Sequence, residues 1–196
     1  MMKRRILLAA LAAAFGFFTI DGFVSQSGQA QAQNRAQERD MENTLYIDLE
    51  GGRVTIQLLP DVAPNHVARI KELAREGFYD GIVFHRVIDG FMAQTGDPTG
   101  TGSGGSQLPD LEAEFSDTNH GRGAVSMARA QSPNSANSQF FIVFDDSSFL
   151  DGQYTVWGQV TEGMELVDAI KRGEGSSGAV QDPDRMIKVQ VAADAQ

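Results

Sequence analysis

Residues 84–97 read FHRVIDGFMAQTGD and cover most of two short candidate strands, at 82–87 and 91–95. Both strands are mainly apolar, but Arg86 and Gln94 interrupt the pattern. A cation and an amide are unusual in the strands of a plain β-barrel, because burying an unpaired polar group is costly. The stretch therefore predicts a β protein with a functional site on one of its strands.

The sequence on either side predicts further strands. Residues 44–50 and 53–58 alternate apolar and polar side chains. They flank Gly51 and Gly52, which can supply the positive φ angles of a two-residue turn, so a hairpin is expected here. The remaining candidate strands lie at 124–128, 139–143, 154–160 and 186–191.

Two helices are predicted between these strands. Pro64 opens the first, which ends near Gly77, and the second runs over about 162–171. About eight strands and two helices, joined by Gly-rich loops, predict a mainly β fold. We expect a closed eight-stranded antiparallel β-barrel capped by two α-helices, since closure removes exposed sheet edges.

The first 32 residues have the pattern of a signal peptide. Three basic residues at 3–5 precede an apolar run at 6–20, and Ala-Gln-Ala at 30–32 offers a cleavage site. The alternative is a retained membrane anchor, but a span needs about 20 apolar residues, and Asp21 ends this run. We therefore expect secretion across the inner membrane into the periplasm, with no stable membrane association after processing.

The expected mature chain consists of a flexible tether at 33–43 and one domain at 44–196. Removal of residues 1–32 leaves 13 Lys and Arg against 25 Asp and Glu. This acidic balance argues against nucleic acid as a partner. The sequence contains no cysteine, which excludes both disulfides and a lipid anchor on cysteine.

Four segments together resemble the cyclophilin family. They are 84–97, VSMARA at 125–130, SQFFI at 138–142 and FLDG at 149–152, and the similarity extends from about 44 to 191. The resemblance implies a peptidyl-prolyl cis/trans isomerase that needs no cofactor. It also implies that the partners are proline-containing polypeptides, and that the protein assists the folding of exported proteins. We expect a monomer.

The resemblance assigns catalysis to Arg86, with Gln94 beside it. It further implies a substrate groove formed by Phe91, Met92, Gly102, Ala128, Arg129, Ala130, Gln139, Phe141, Phe149, Leu150 and Tyr154. Phe140 neighbours Phe141 on its strand and points to the opposite face, so it is expected in the core.

The implied reaction breaks no bond and needs no nucleophile. Rotation about an X-Pro amide has a barrier of about 18–20 kcal/mol, which comes from resonance between nitrogen and carbonyl. As the bond twists, the proline nitrogen becomes a hydrogen-bond acceptor. The guanidinium of Arg86 is always charged and offers several donors in a rigid fork, so it can stabilise this twisted state.

This chain differs from the best-known members of the family at three groove positions. Phe149 replaces a tryptophan, Tyr154 replaces a histidine and Arg129 replaces an asparagine. The resemblance suggests that the cyclic peptide cyclosporin binds the groove. Phe149 lacks the indole N–H donor, so weaker inhibition is expected.

Other interpretations of the sequence remain open. The first is a cyclophilin-fold peptide-binding or chaperone module with little turnover. A second is an unrelated secreted hydrolase, although the chain has neither a Gly-x-Ser-x-Gly nor a His-Glu-x-x-His motif. His85 adjoins Arg86 and could act as a base, but strand alternation directs it to the other face. The spacing of His66, His85 and His120 does not match that of metal ligands.

Overall fold

The computed structural model describes residues 21–195, and residues 37–195 belong to one compact unit. Most of the predicted signal peptide, residues 1–20, lies outside the described residues. Helix α1 spans Asp21–Glu42. Within the described part of the chain, no helix is long and apolar enough to cross a membrane.

The segment 33–42 is helical, although we expected it to lack regular structure. Residues 33–41 are exposed, and no glycine or proline interrupts the segment. Gln, Ala, Arg and Glu dominate this stretch, and all four have favourable helix propensities. A polar segment without apolar periodicity can therefore still form a helix, and the expected flexible tether is helical over 33–42.

Eight strands form a single antiparallel sheet in the order β3-β4-β6-β5-β7-β2-β1-β8. Each predicted strand is present, and the observed bounds differ from the predicted ones by a few residues. The strands are β1 Thr44–Leu49, β2 Gly52–Leu58, β3 Arg86–Ile88, β4 Met92–Thr95, β5 Ala124–Met127, β6 Phe140–Val143, β7 Val156–Glu162 and β8 Lys188–Val191.

The expected closure of the barrel is not confirmed. The sheet ends at β3 and β8, and no continuous ladder joins these two strands within residues 21–195. The segments just before these two strands pair over a few residues, where Val83 and Arg185 form an isolated antiparallel bridge. Around it, the backbone N–H of Gly81 donates to Met186 O, that of Met186 donates to Ile82 O and that of Phe84 donates to Asp184 O. The sheet is a curled one, and shifts in register at Thr55/Ile56 and Val125/Ser126 increase its local twist.

Two helices accompany the sheet, as predicted. Helix α2 spans Pro64–Arg75 and buries Val67, Ile70 and Leu73 against the core. Helix α3, Met164–Asp168, is shorter than the predicted 162–171. It is shorter at its start because β7 continues to Glu162 and Gly163 follows in the left-handed conformation (φ 80°).

Neighbouring residues of β6 divide between two apolar clusters. Phe140 packs edge-on against Trp157 and Tyr79 in the main core, as expected. Phe141 belongs to a second cluster with Met92 and Leu150. Because side chains alternate along a strand, one short segment builds both the core and the opposite face of the sheet.

Candidate active site

A cavity of about 320 Å³ lies on the face of the sheet opposite the main core. Antiparallel register pairs Arg86 of β3 with Gln94 of β4, and Gln94 with Phe141 of β6. Directly paired residues project from the same face, so three strands that are separate in sequence supply one site. The cavity is lined by Arg86, Phe91, Met92, Gln94, Ala128, Arg129, Phe141, Phe149, Leu150 and Tyr154.

The floor of this cavity is apolar. Met92, Phe141 and Leu150 are buried and pack together, with Phe91 against them. Phe149 is 64% exposed and stands at the rim, its ring 5.4 Å from that of Phe91. The cavity can therefore hold a small apolar ring while one side stays open to solvent.

Arg86 is the cation at the edge of this floor. Its Nη1 donates to Gln94 Oε1 over 3.0 Å, and its Nε donates to the carbonyl oxygen of Ser177 over 3.0 Å. Nη2 has no hydrogen-bond partner among residues 21–195. Two anchors thus fix the plane of the guanidinium and leave donors free toward the cavity.

A chain of amide hydrogen bonds continues from Arg86. Gln94 Nε2 donates to Gln139 Oε1 over 2.9 Å. Gln139 Nε2 in turn donates to the carbonyl oxygens of Gly102 and Gly104, at 3.1 and 2.8 Å. These bonds fix which way each amide points, so Gln94 presents an oxygen to Arg86.

Asp97 organises the Gly-rich loop that contains Gly102 and Gly104, where this series of hydrogen bonds ends. Its carboxylate, only 1% exposed, accepts from the backbone N–H groups of Thr99, Thr101, Gly102 and Gly104. Burial alone would raise its pKa, but these hydrogen bonds to the charged form lower the pKa to about 2. The loop is therefore built around a buried anion.

A second cavity of about 400 Å³ adjoins the first, and Gln94, Ala128 and Arg129 line both. Three of the predicted groove residues belong to the second cavity alone: Gly102, Ala130 and Gln139. The other ten predicted residues line the first. The structure thus divides the predicted groove into two adjoining compartments.

Residues 128–130 separate the two compartments. The backbone N–H of Ala128 donates to Gln139 O over 3.0 Å. The backbone N–H and C=O of Arg129 have no hydrogen-bond partner in the described part of the chain. This short stretch therefore offers main-chain groups to an extended peptide, in the manner of strand addition.

Sequence reasoning missed three neighbours of the site. None of Asp97, Ser177 and His120 was assigned to the site from the sequence. The ring of His120 stacks on that of Phe141 with a centroid distance of 6.3 Å. Only the Gly-rich sequence after Asp97 hinted at any of these contacts, because the other two join segments far apart in the chain.

His120 lies between Asp151 and Ser126. Its Nδ1 is 2.8 Å from Asp151 Oδ1, and its Nε2 is 3.0 Å from Ser126 Oγ. The hydrogen bond from His120 lowers the pKa of Asp151. Although this resembles a hydrolase triad, Ser126 is completely buried and its hydroxyl donates to Thr155 O. The hydroxyl is therefore closed to a substrate.

The other two histidines do not face the first cavity. His66 is buried and its Nδ1 lies 2.6 Å from Glu114. His85 is buried beside Gly102, where burial lowers its pKa and neither ring nitrogen has a hydrogen-bond partner. Across residues 21–195 no group of three His, Cys, Asp or Glu side chains is arranged to hold a metal.

The curled antiparallel sheet, with an anchored arginine beside an apolar cavity, defines a cyclophilin-like protein. Residues 40–191 match the family described as "Cyclophilin type peptidyl-prolyl cis-trans isomerase/CLD". The match spans most of the chain, which therefore belongs to this family and is a peptidyl-prolyl cis-trans isomerase.

Two proteins of similar sequence are named for the same activity. The chain is 54% identical over 175 residues to a "Probable peptidyl-prolyl cis-trans isomerase" of Brucella suis, covering 83% of this chain and 89% of that one. It is 42% identical over 135 residues to "Peptidyl-prolyl cis-trans isomerase B" of Bacillus subtilis, covering 68% and 94%.

Solved structures of cyclophilins have the same fold. AquaCyp293 from Hirschia baltica matches with a TM-score of 0.72 and 30% identity, over 80% of this chain and 76% of that one. A Cryptosporidium parvum cyclophilin, crystallised in the presence of the dipeptide Ala-Pro, matches with a TM-score of 0.71 and 28% identity, over 76% and 98%.

Proposed function

We propose that this isomerase rotates X-Pro bonds in unfolded or flexible segments of exported proteins, with Arg86 as its catalytic side chain. The observation that carries the proposal is the guanidinium of Arg86, which has two anchors and a free Nη2 beside an apolar cavity. The related cyclophilin crystallised in the presence of Ala-Pro supports a proline-containing peptide as the ligand.

In the proposed mechanism, the proline ring occupies the cavity formed by Met92, Phe141 and Leu150. The proline ring stays fixed in the cavity, while the carbonyl group of the preceding residue rotates about the X-Pro bond. Arg86 donates to the proline nitrogen as that atom loses conjugation and becomes an acceptor. This hydrogen bond forms mainly in the twisted state, so it lowers the barrier without tightening binding of either isomer.

The test of turnover is an NMR exchange measurement on a peptide that contains one X-Pro bond. Catalysed cis/trans exchange that scales with protein concentration is expected. The alternative, a peptide-binding module with little turnover, predicts binding of the same peptide without faster exchange. Both readouts come from one titration, so the two functions are separable.

The proposed location is the periplasm, which requires removal of residues 1–32. The sequence pattern at 3–5, 6–20 and 30–32 supports it. We expect the full chain, expressed in a Gram-negative bacterium, to appear in the periplasmic fraction with Gln33 as its first residue, determined by mass spectrometry. Recovery of the unprocessed chain in the membrane fraction would instead support a retained anchor.

Two structural features also belong to this proposal. The mature protein acts as a monomer without stable membrane association. The curled sheet closes into a barrel in solution, and the bridge between Val83 and Arg185 supports this closure, since it joins the chain just before the two edge strands.

A further inference from the structure

Arg129 differs in its ion pairing from several other arginines among the described residues. Arg53, Arg75, Arg122 and Arg172 each lie within 4 Å of a carboxylate. Within residues 21–195, Arg129 makes no salt bridge. Its charge is therefore available to a ligand, provided that its position is suitable.

Backbone carbonyl groups and an aromatic ring hold the side chain of Arg129 in place. Nη1 donates to Ala130 O over 3.0 Å, and Nη2 donates to Gln153 O over 3.0 Å. The guanidinium carbon lies 4.5 Å from the centre of the Tyr154 ring. A cation with this many contacts loses little further freedom when it meets a substrate.

The location of Arg129 is the junction of the two cavities, both of which it lines. The first cavity contains a second cation that makes no salt bridge within residues 21–195, Arg86, and no carboxylate among its lining residues. The second contains one carboxylate, Asp110, whose Oδ1 accepts from Asn137 Nδ2. The whole chain has a net charge of -10, so the junction is a cationic exception on an acidic protein.

We infer that Arg129 makes this isomerase select substrates with an acidic residue immediately before the proline. With the proline ring in the first cavity, Arg86 and Gln94 flank the amide that rotates. The preceding residue then lies where the cavities meet, beside Arg129. Glutamate or aspartate at this position gains from the unpaired cation, and lysine is disfavoured. The inference rests on the proposed placement of substrate in the groove.

The test compares peptides of the form Ala-X-Pro-Phe with Glu, Gln or Lys at X, by NMR exchange without a coupling protease. The intact protein is compared with Arg129→Gln and with Arg53→Gln, which removes one positive charge at a residue that lines neither cavity. We expect kcat/KM for Glu-Pro to exceed that for Gln-Pro by about threefold to fivefold at low salt, the effect of one partly exposed charge pair. High salt should reduce the ratio.

Arg129→Gln should bring the Glu/Gln ratio close to one, while Arg53→Gln should leave it unchanged. A purely structural role for Arg129 would lower turnover of all three peptides equally and keep the ratio, which would overturn the inference. A ratio of one in the intact protein would do the same. The Gln-Pro peptide reports isomerase activity itself, and calorimetric affinities of the three peptides report the charge preference independently of turnover.

Discussion

Asp97 is the residue on which the shape of the Gly-rich loop depends most. Its carboxylate accepts from four backbone N–H groups and from the hydroxyl of Thr99. The loop carbonyls that Gln139 contacts, at Gly102 and Gly104, are thereby placed. The series of hydrogen bonds that starts at Arg86 thus ends on a loop whose conformation is held by the carboxylate of Asp97.

The Asp97→Asn variant should lose about 1–3 kcal/mol of unfolding free energy, measured by denaturant titration. An amide presents an N–H group toward buried N–H groups, which leaves at least one donor without an acceptor. Asp61→Asn is the matched control, since Asp61 is exposed and should change stability little. Equal stability of Asp97→Asn and the parent chain would contradict this role.

The acid stability of the protein should also depend on Asp97. Its pKa is about 2 in the folded chain, below the ordinary 3.8. The folded state therefore favours the charged form, and this contribution is complete above about pH 4 and is lost as pH falls toward 2. Unfolding free energy should decline more steeply across this window in the parent chain than in Asp97→Asn. Parallel pH profiles would show that Asp97 does not contribute.

Phe149 should set the sensitivity to cyclosporin. Phe149→Trp supplies an indole N–H at the rim of the first cavity, and a hydrogen bond is worth about 0.5–1.5 kcal/mol net. Because the position is largely exposed, we expect inhibition to tighten by about tenfold at most, with turnover nearly unchanged. The measurement is the inhibition constant of both chains, and an unchanged constant would exclude the indole donor as the cause.

Strands β4 and β6 approach each other closely at Gly96, just beyond the end of β4. Gly96 has φ 86°, and an added Cβ would collide with Ser138 O and lie 2.9 Å from the Cα of Gln139. The same two strands carry Gln94 and Phe141. Their spacing therefore sets both the packing of the sheet and the alignment of the site.

The Gly96→Ala variant should be destabilised by more than its backbone angle alone explains. Gly90 is the control, since it has φ 68° but nothing within 4 Å of an added Cβ. Gly90→Ala should cost about 1–2 kcal/mol for the left-handed backbone. Gly96→Ala should lose a further 1–3 kcal/mol or so from overpacking and should also reduce turnover. Equal unfolding midpoints of the two variants would contradict this.

At the scale of the whole molecule, alternation and turn residues predicted the strands, and the family resemblance predicted the residues around the first cavity. Contacts between segments that lie far apart in the sequence were harder to predict. The carbonyl of Ser177 anchors Arg86 across 91 residues, and a backbone acceptor in a loop leaves no pattern in the sequence. The split into two cavities depends on loop conformations, which alternation does not encode.

The central claim is that Arg86 stabilises the twisted amide, and turnover of Arg86→Ala tests it most directly. A lost transition-state donor should reduce kcat/KM for an X-Pro peptide by about 100-fold to 1,000-fold, with little change in unfolding midpoint. Arg86→Lys should rescue poorly, because an ammonium cannot reproduce the planar fork that meets Gln94 and Ser177. Near-normal kcat/KM in a folded Arg86→Ala variant would contradict the account.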